Sequence, residues 1–173
     1  MLAAATAAMA QYYFPYDESC VYYDDAPALI IQRDRIMDGW YVSDFDGNRI
    51  SDYYKEIRPY SQGAAAALDK IMGWCFIDTS GKRFTDYYRN VDDFHEGYAL
   101  VEDKVMGWTF IDRQGKRLVN DYFKDAYPFH RGVALVQDKV MGWYLMDRSG
   151  RRISDYHDDP RDFRPASRPR RPW

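Results

Sequence analysis

The chain has 173 residues, enough for one domain or a short repeat array. Its 24 Lys+Arg against 27 Asp+Glu give a formal net charge of −3, so no overall field attracts nucleic acid. No apolar run reaches the ~18 residues of a helical membrane span, and 17% aromatic residues with regularly placed glycines favour short strands and tight turns.

The first ten residues, MLAAATAAMA, are small and apolar, unlike everything after them. They end in Ala8-Met9-Ala10 before Gln11, the small-residue form of a signal-peptidase site, but they lack a basic start. Two readings stand for residues 1–10. One is the remnant of an export signal, which places the protein in an extracytoplasmic setting (periplasmic, secreted or cell-surface). The other is a plain Ala-rich terminus. Residues 11–27 read as an irregular N-terminal cap, because the terminal units of an array must hide strand edges and open faces. Cys20 lies in this cap and Cys75 far beyond it. A disulfide between them would close a long loop, worth about 4 kcal/mol in the chain-entropy model; two free thiols are the other reading. Neither cysteine has zinc-like spacing.

From residue 28 to 163 the chain repeats itself. DRIMDGW at Asp34–Trp40 is followed by DKIMGW at Asp69–Trp74, then by DKVMGW at Asp103–Trp108 and Asp138–Trp143. The Gly-Trp pairs ending in Trp40, Trp74, Trp108 and Trp143 step by 34, 34 and 35 residues. Gly47, Gly81, Gly115 and Gly150 keep those steps, and Gly63, Gly97 and Gly132 step by 34 and 35. The extra residue therefore falls between Gly115 and Gly132, in a connection within LVNDYFKDAYPF. Four units are predicted, over about 28–59, 60–93, 94–128 and 129–162.

In the unit Phe94–Pro128, Tyr98–Glu102 is rich in strand formers and Asp103-Lys104 opens a turn. Met106–Asp112 alternates, with Trp108 and Phe110 on one face and Thr109 and Ile111 on the other. DRQG makes a second turn: Asp can accept local backbone N–H groups, and Gly tolerates a left-handed conformation. Lys116–Val119 is predicted as a third strand, and Asn120-Asp121-Tyr122 opens a connection with room for one helical turn. Each indole buries ~150–250 Å², about 4–6 kcal/mol before entropy. A three-stranded unit cannot cover such a ring alone, so neighbouring units must supply the other wall. The predicted fold is all-β: tandem β-meanders of about three short strands, with a 34–35-residue period, stacked as an extended repeat array. The four Trp and the glycines Gly47, Gly81, Gly115 and Gly150 are its structural residues.

The order Gly97-Tyr98-Ala99-Leu100-Val101, Trp108-Thr109-Phe110-Ile111-Asp112, Gly115-Lys116 and Phe129-His130-Arg131-Gly132 resembles the WG-repeat family of bacterial proteins. The resemblance covers roughly Ala28 to Phe163. One feature departs from it: Tyr41, Cys75, Thr109 and Tyr144 stand where the family has a glycine after Trp, and here a glycine precedes Trp instead. The resemblance implies β-rich repeats, often in exported or envelope-associated proteins, with no shared catalytic activity and no active-site residues.

Internal repetition separates structure from function. A residue found in every unit is architectural, and a functional one should break the pattern. Asp78, Asp112 and Asp147 recur, so turn capping explains them better than acid–base work or calcium. His95 and His130 share one slot with Ser61 and read as a tolerated surface position; His157 adds no third ligand. No nucleophile context or phosphate loop appears. No catalytic, cofactor or metal site is therefore assigned. The expected function is that of a non-enzymatic interaction module, a subunit or accessory factor of a larger cell-envelope assembly, with a protein partner. The alternative is a glycan- or cell-wall-binding module using exposed Tyr and Trp rings, among them Tyr54 and Tyr88, whose neighbours Tyr53 and Tyr87 cannot point the same way on a strand. Residues 164–173 form an Arg/Pro-rich tail in which Arg164, Arg168, Arg170, Arg171 and Trp173 offer charge and an apolar anchor for a partner or an anionic envelope surface.

Overall fold

A computed structural model of the chain describes residues 29–163. The expectations for the export remnant, the N-terminal cap, Cys20 and the arginine tail lie outside those residues. Eleven strands are formed there, all paired antiparallel: β1 (Ile30–Asp34), β2 (Gly39–Ser43), β3 (Glu56–Ile57), β4 (Ala64–Leu68), β5 (Trp74–Asp78), β6 (Asn90–Val91), β7 (Ala99–Glu102), β8 (Trp108–Ile111), β9 (Asp125–Ala126), β10 (Val133–Gln137) and β11 (Trp143–Asp147). They make four small sheets: β1-β2, β3-β4-β5, β6-β7-β8 and β9-β10-β11. The all-β repeat architecture stands as predicted.

The third strand of the second, third and fourth sheets is a correction; the first sheet has two strands among the described residues. Lys116–Val119 forms no strand; only Arg117 bridges Ile111 there. The third strand is instead the two-residue segment that precedes each hairpin, such as Asp125-Ala126 against Val136-Gln137. The connection after Asn120 contains no helical turn. Its backbone is held by the Gly-Trp pair. Trp74 exchanges two backbone hydrogen bonds with Tyr88, at 2.9 and 2.7 Å, and Trp40 with Tyr54, Trp108 with Phe123 and Trp143 with His157 do the same. The connection thus closes on one hairpin and then pairs with the next.

That closure explains the glycine before Trp74, Trp108 and Trp143. A Cβ on Gly73 or Gly107 would lie 2.5 Å from the carbonyl oxygen of Tyr88 or Phe123. Only glycine lets the two backbones meet there.

Three apolar clusters fill the spaces between consecutive sheets. Val42 and Ile31 of the first sheet meet Ala65, Ala67, Cys75 and Ile77 of the second. Ala64, Ala66, Trp74 and Phe76 on the other face of the second sheet meet Ala99, Val101 and Ile111 of the third. Leu100 and Phe110 of the third meet Ala134, Val136 and Met146 of the fourth. Successive residues along β5 and β8 therefore point to different neighbours, as strand geometry requires. The middle strands are buried on both faces, which is why they read as unbroken apolar runs. Each space is also closed by an aromatic from the next unit: Phe94 lies 4.9 Å from Phe76, and Phe129 lies 4.8 Å from Phe110.

The inserted residue is located between Arg117 and Phe123. Trp108 pairs with a residue 15 positions on, whereas Trp40, Trp74 and Trp143 pair with residues 14 positions on. In the other units Ser51, Thr85 or Ser154 accepts a backbone N–H from the hairpin, from Val42, Phe76 or Leu145. The third unit has Val119-Asn120 at that place.

Candidate interaction surfaces

The carboxylates that recur are turn caps. Asp78 Oδ1 accepts N–H groups of Ser80 (2.8 Å) and Lys82 (3.1 Å), and Asp112 and Asp147 repeat the pattern. The hydroxyl of Ser149 and the N–H of Arg151 hold the Asp147 carboxyl at about 2. A second aspartate series works likewise: Asp34, Asp69, Asp103 and Asp138 each accept two N–H groups of the hairpin tip that follows. In each, Oδ1 is committed to backbone N–H groups. No cluster of three His, Cys, Asp or Glu side chains that could hold a metal exists among the described residues. His95 and His130 are exposed. His157 occupies the slot of Tyr54 and Tyr88, with Asp162 3.6 Å away and Phe163 edge-on to its ring. Cys75 is a buried free thiol pushed up to about 12 by desolvation, so it stays protonated.

Tyr54 and Tyr88, expected as exposed rings, are corrected. They are 3% and 8% exposed and belong to the clusters between sheets. Their hydroxyls are pushed well up by burial. The outward partners are Tyr53 and Tyr87, and these are capped by arginine. Arg49, Arg83, Arg117 and Arg152 stack over Tyr53, Tyr87, Tyr122 and Tyr156 at 4.8, 4.7, 4.9 and 4.7 Å. A guanidinium thus occupies one face of each outward ring. The four tryptophans lie against the packed interior: Trp74 and Trp143 are buried, and Trp40 and Trp108 pack half-buried against the clusters between sheets. In the slot where the resemblance departs, Cys75 is buried in the cluster between the first two sheets and Thr109 is also buried, whereas Tyr41 and Tyr144 are half-buried.

Residues at the turns also clasp neighbouring units. Gln62 Oε1 accepts the N–H of Gly97 at 2.9 Å. Glu96, at the same slot one unit on, accepts the N–H groups of Arg131 and Gly132 and pairs with Arg148 at 2.6 Å. The Arg148 guanidinium and these N–H groups hold the Glu96 carboxyl at about 2. The next residue in that slot is Arg131, which has no acceptor to offer.

What breaks the repeat is the outer face of the last sheet. Val42, Phe76 and Phe110, each two residues after a tryptophan, are 0%, 1% and 1% exposed. The fourth residue of that series, Leu145, and its cross-strand partner Leu135 are only half-buried. With Val133, Tyr127, Pro128 and Phe163 they line an open concavity, rimmed by His130 and Arg161. Phe163 stands where Phe94 and Phe129 stand in earlier units, on a short 3-10 turn, Pro160–Phe163. The aromatic that opens a further unit is present, but among the described residues no further hairpin covers the leucines. Sequence reasoning missed Leu135 and Leu145 because they read as ordinary strand residues; only their place in the last unit distinguishes them.

The comparisons with known proteins agree with the repeat. The model described as "WG containing repeat" matches residues 108–139, which supports assigning the chain to the WG beta-repeat family. That span holds the β8 tryptophan, the Asp112–Gly115 turn and the hairpin entry at Gly132. Comparison with curated proteins finds no match. Among solved structures, the computationally designed Ika8 protein is 12% identical with a TM-score of 0.42, over 80% of this chain and 48% of that one. The chain thus spans about half the length of that relative. The designed Ika4 protein is 10% identical with a TM-score of 0.43, over 78% of this chain and 95% of that one. The WD40 beta propeller domain of Doa1 is 9% identical with a TM-score of 0.37, over 78% of this chain and 52% of that one. At such scores these likenesses carry no argument. No helix among the described residues is long and apolar enough to cross a membrane.

Proposed function

We propose that the chain is a non-enzymatic WG-repeat interaction module that docks a protein partner on the outer face of its last sheet. The observation that carries this reading is the Leu135–Leu145 pair. Its counterparts in every earlier unit are buried by the next hairpin, whereas this pair faces solvent. A partner presenting a strand pair with small apolar residues, like Ala65, Ala67 and Cys75 in the second unit, would complete the stack. The turn-capping role of the recurrent aspartates supports a scaffold over a catalyst. The arginine tail, Arg164, Arg168, Arg170, Arg171 with Trp173, is a second contact in the same proposal, since it follows directly on Phe163. Membership of a cell-envelope assembly and an extracytoplasmic location rest on Ala8-Met9-Ala10 and on the habit of the family.

The test is a pull-down of the full chain from its native source, with mass spectrometry of both bait and prey. The expected result is a stoichiometric partner protein and a mature chain that begins at Gln11. Leu135→Glu combined with Leu145→Glu should release the partner with circular dichroism unchanged, and deletion of 164–173 should weaken it. A partner retained by the double variant would sink the end-face reading, and cytoplasmic fractionation would sink the envelope reading.

A further inference from the structure

The chain has two series of hairpin turns, and they are built alike. In each, an aspartate accepts N–H groups and a glycine follows. In one series the central residues vary from unit to unit: Phe45-Asp46, Thr79-Ser80, Arg113-Gln114 and Arg148-Ser149. In the other they keep one pattern, a β-branched aliphatic followed by Met: Ile36-Met37, Ile71-Met72, Val105-Met106 and Val140-Met141. The turn itself needs only the aspartate and the glycine, so the fold does not account for the apolar pair. Nor does packing. Ile36, Ile71, Val105 and Val140 are 94%, 90%, 88% and 87% exposed, and each methionine is about half exposed. Branched aliphatic side chains left in water at four equivalent tips form a recurrent apolar patch, which marks an interaction surface.

The tips form one row. Lys70 Nζ donates to the carbonyl of Met37 on the preceding tip at 2.9 Å, and its stem lies against Gly39. Arg89 donates to the carbonyl of Lys104 at the third tip. With sheets stacked about 10 Å apart, four tips span roughly 30 Å. A basic residue precedes every apolar pair: Arg35, Lys70, Lys104 and Lys139. Oδ1 of the adjacent aspartate is turned onto two N–H groups, so each tip presents one basic and two apolar side chains outward; the first tip adds Asp38, which pairs with Arg33 at 3.2 Å.

We propose that this row of hairpin tips is a peripheral membrane-binding edge that inserts its Ile/Val-Met pairs into the interface of an anionic bilayer. Two observations favour a bilayer over a protein partner. The aliphatic side chain of every tip is at least 87% exposed, so it stands clear of the fold rather than lining a groove. The tips also repeat one chemical pattern, a basic residue, a β-branched aliphatic and Met, which suits a medium that is the same at every tip; a folded partner would present a different surface to each. The basic residues supply attraction to lipid phosphates, and the apolar pairs supply the insertion. This edge is independent of the end face.

The experiment is co-sedimentation of the full chain with vesicles of phosphatidylcholine alone and of equal parts phosphatidylcholine and phosphatidylglycerol. The expected result is binding that is stronger to the anionic vesicles. Ile71→Ser with Met72→Ser, and Val105→Ser with Met106→Ser, should each weaken it about tenfold, while Leu135→Glu with Leu145→Glu leaves it unchanged. These tip residues are exposed, and an unchanged denaturation midpoint shows that the variants fold. Absence of vesicle binding by the unaltered chain, or binding indifferent to the tip variants, overturns the proposal. Loss of a co-purified protein on changing the tips, without vesicle binding, overturns it in favour of a protein contact.

Discussion

Thr109 is 2% exposed, and its hydroxyl oxygen has no hydrogen-bond partner. An unpaired buried hydroxyl costs stability, so Thr109→Val, similar in shape, should raise the unfolding free energy by about 1 kcal/mol in a denaturant titration. Gly97 and Gly107 make a second comparison. Both have left-handed backbones, with φ of 90° and 109°. A Cβ on Gly97 meets nothing within 4 Å, whereas one on Gly107 meets the Phe123 carbonyl at 2.5 Å. Gly97→Ala should therefore cost only its backbone strain, about 1–3 kcal/mol, and Gly107→Ala clearly more in the same titration. Glu96 gives a pH signature. Its carboxyl is held at about 2 against an ordinary 4.5, so it contributes stability above its unfolded value. That contribution should fall away as the pH drops from about 4.5 towards 2. Glu96→Gln should flatten the acid limb of stability against pH over that window; an unchanged limb would show that the Arg148 clasp is not formed in solution.

The β4 segment Ala64–Leu68 is the element least expected from local preference. Alanine favours helix over strand, yet four alanines form a strand buried on both faces. Small side chains are needed because Phe76 and Phe94 occupy the next space and Tyr54 and Tyr60 the previous one. Tertiary fit overrides propensity there. The same logic sorts the residues two after each tryptophan. Phe76→Ala or Phe110→Ala empties a filled space between sheets and should cost about 3–5 kcal/mol. Leu145→Ala, at the equivalent position on the outer face, should cost well under half of that by thermal or chemical melting. The sequence pattern placed Trp108 and Phe110 opposite Thr109 and Ile111 correctly. It misplaced the third strand because Lys116–Val119 has strand-like composition but only a bridge to pair with, whereas Asp125-Ala126 has little strand character and is recruited by its neighbour.

Among the described residues, the interior is three separate clusters rather than one core, and each is shared by consecutive sheets. Stability should then be approximately a sum over neighbours. Met146→Ala, in the last cluster, should raise hydrogen exchange in residues 125–157 and leave 30–78 near its original protection; uniform acceleration would indicate a single cooperative core instead. The sequence alone determined the repeat, its 34–35-residue step, its β character, the turn aspartates and the unit that holds the extra residue. Those features are local: hydrogen bonds across a turn and alternation along a strand recur wherever the same letters recur. Only the tertiary structure decided which of two adjacent tyrosines is buried, where each sheet finds its third strand, and which face and tips stay in water. Those depend on whether another unit lies alongside, and no stretch of residues carries that information about its neighbour.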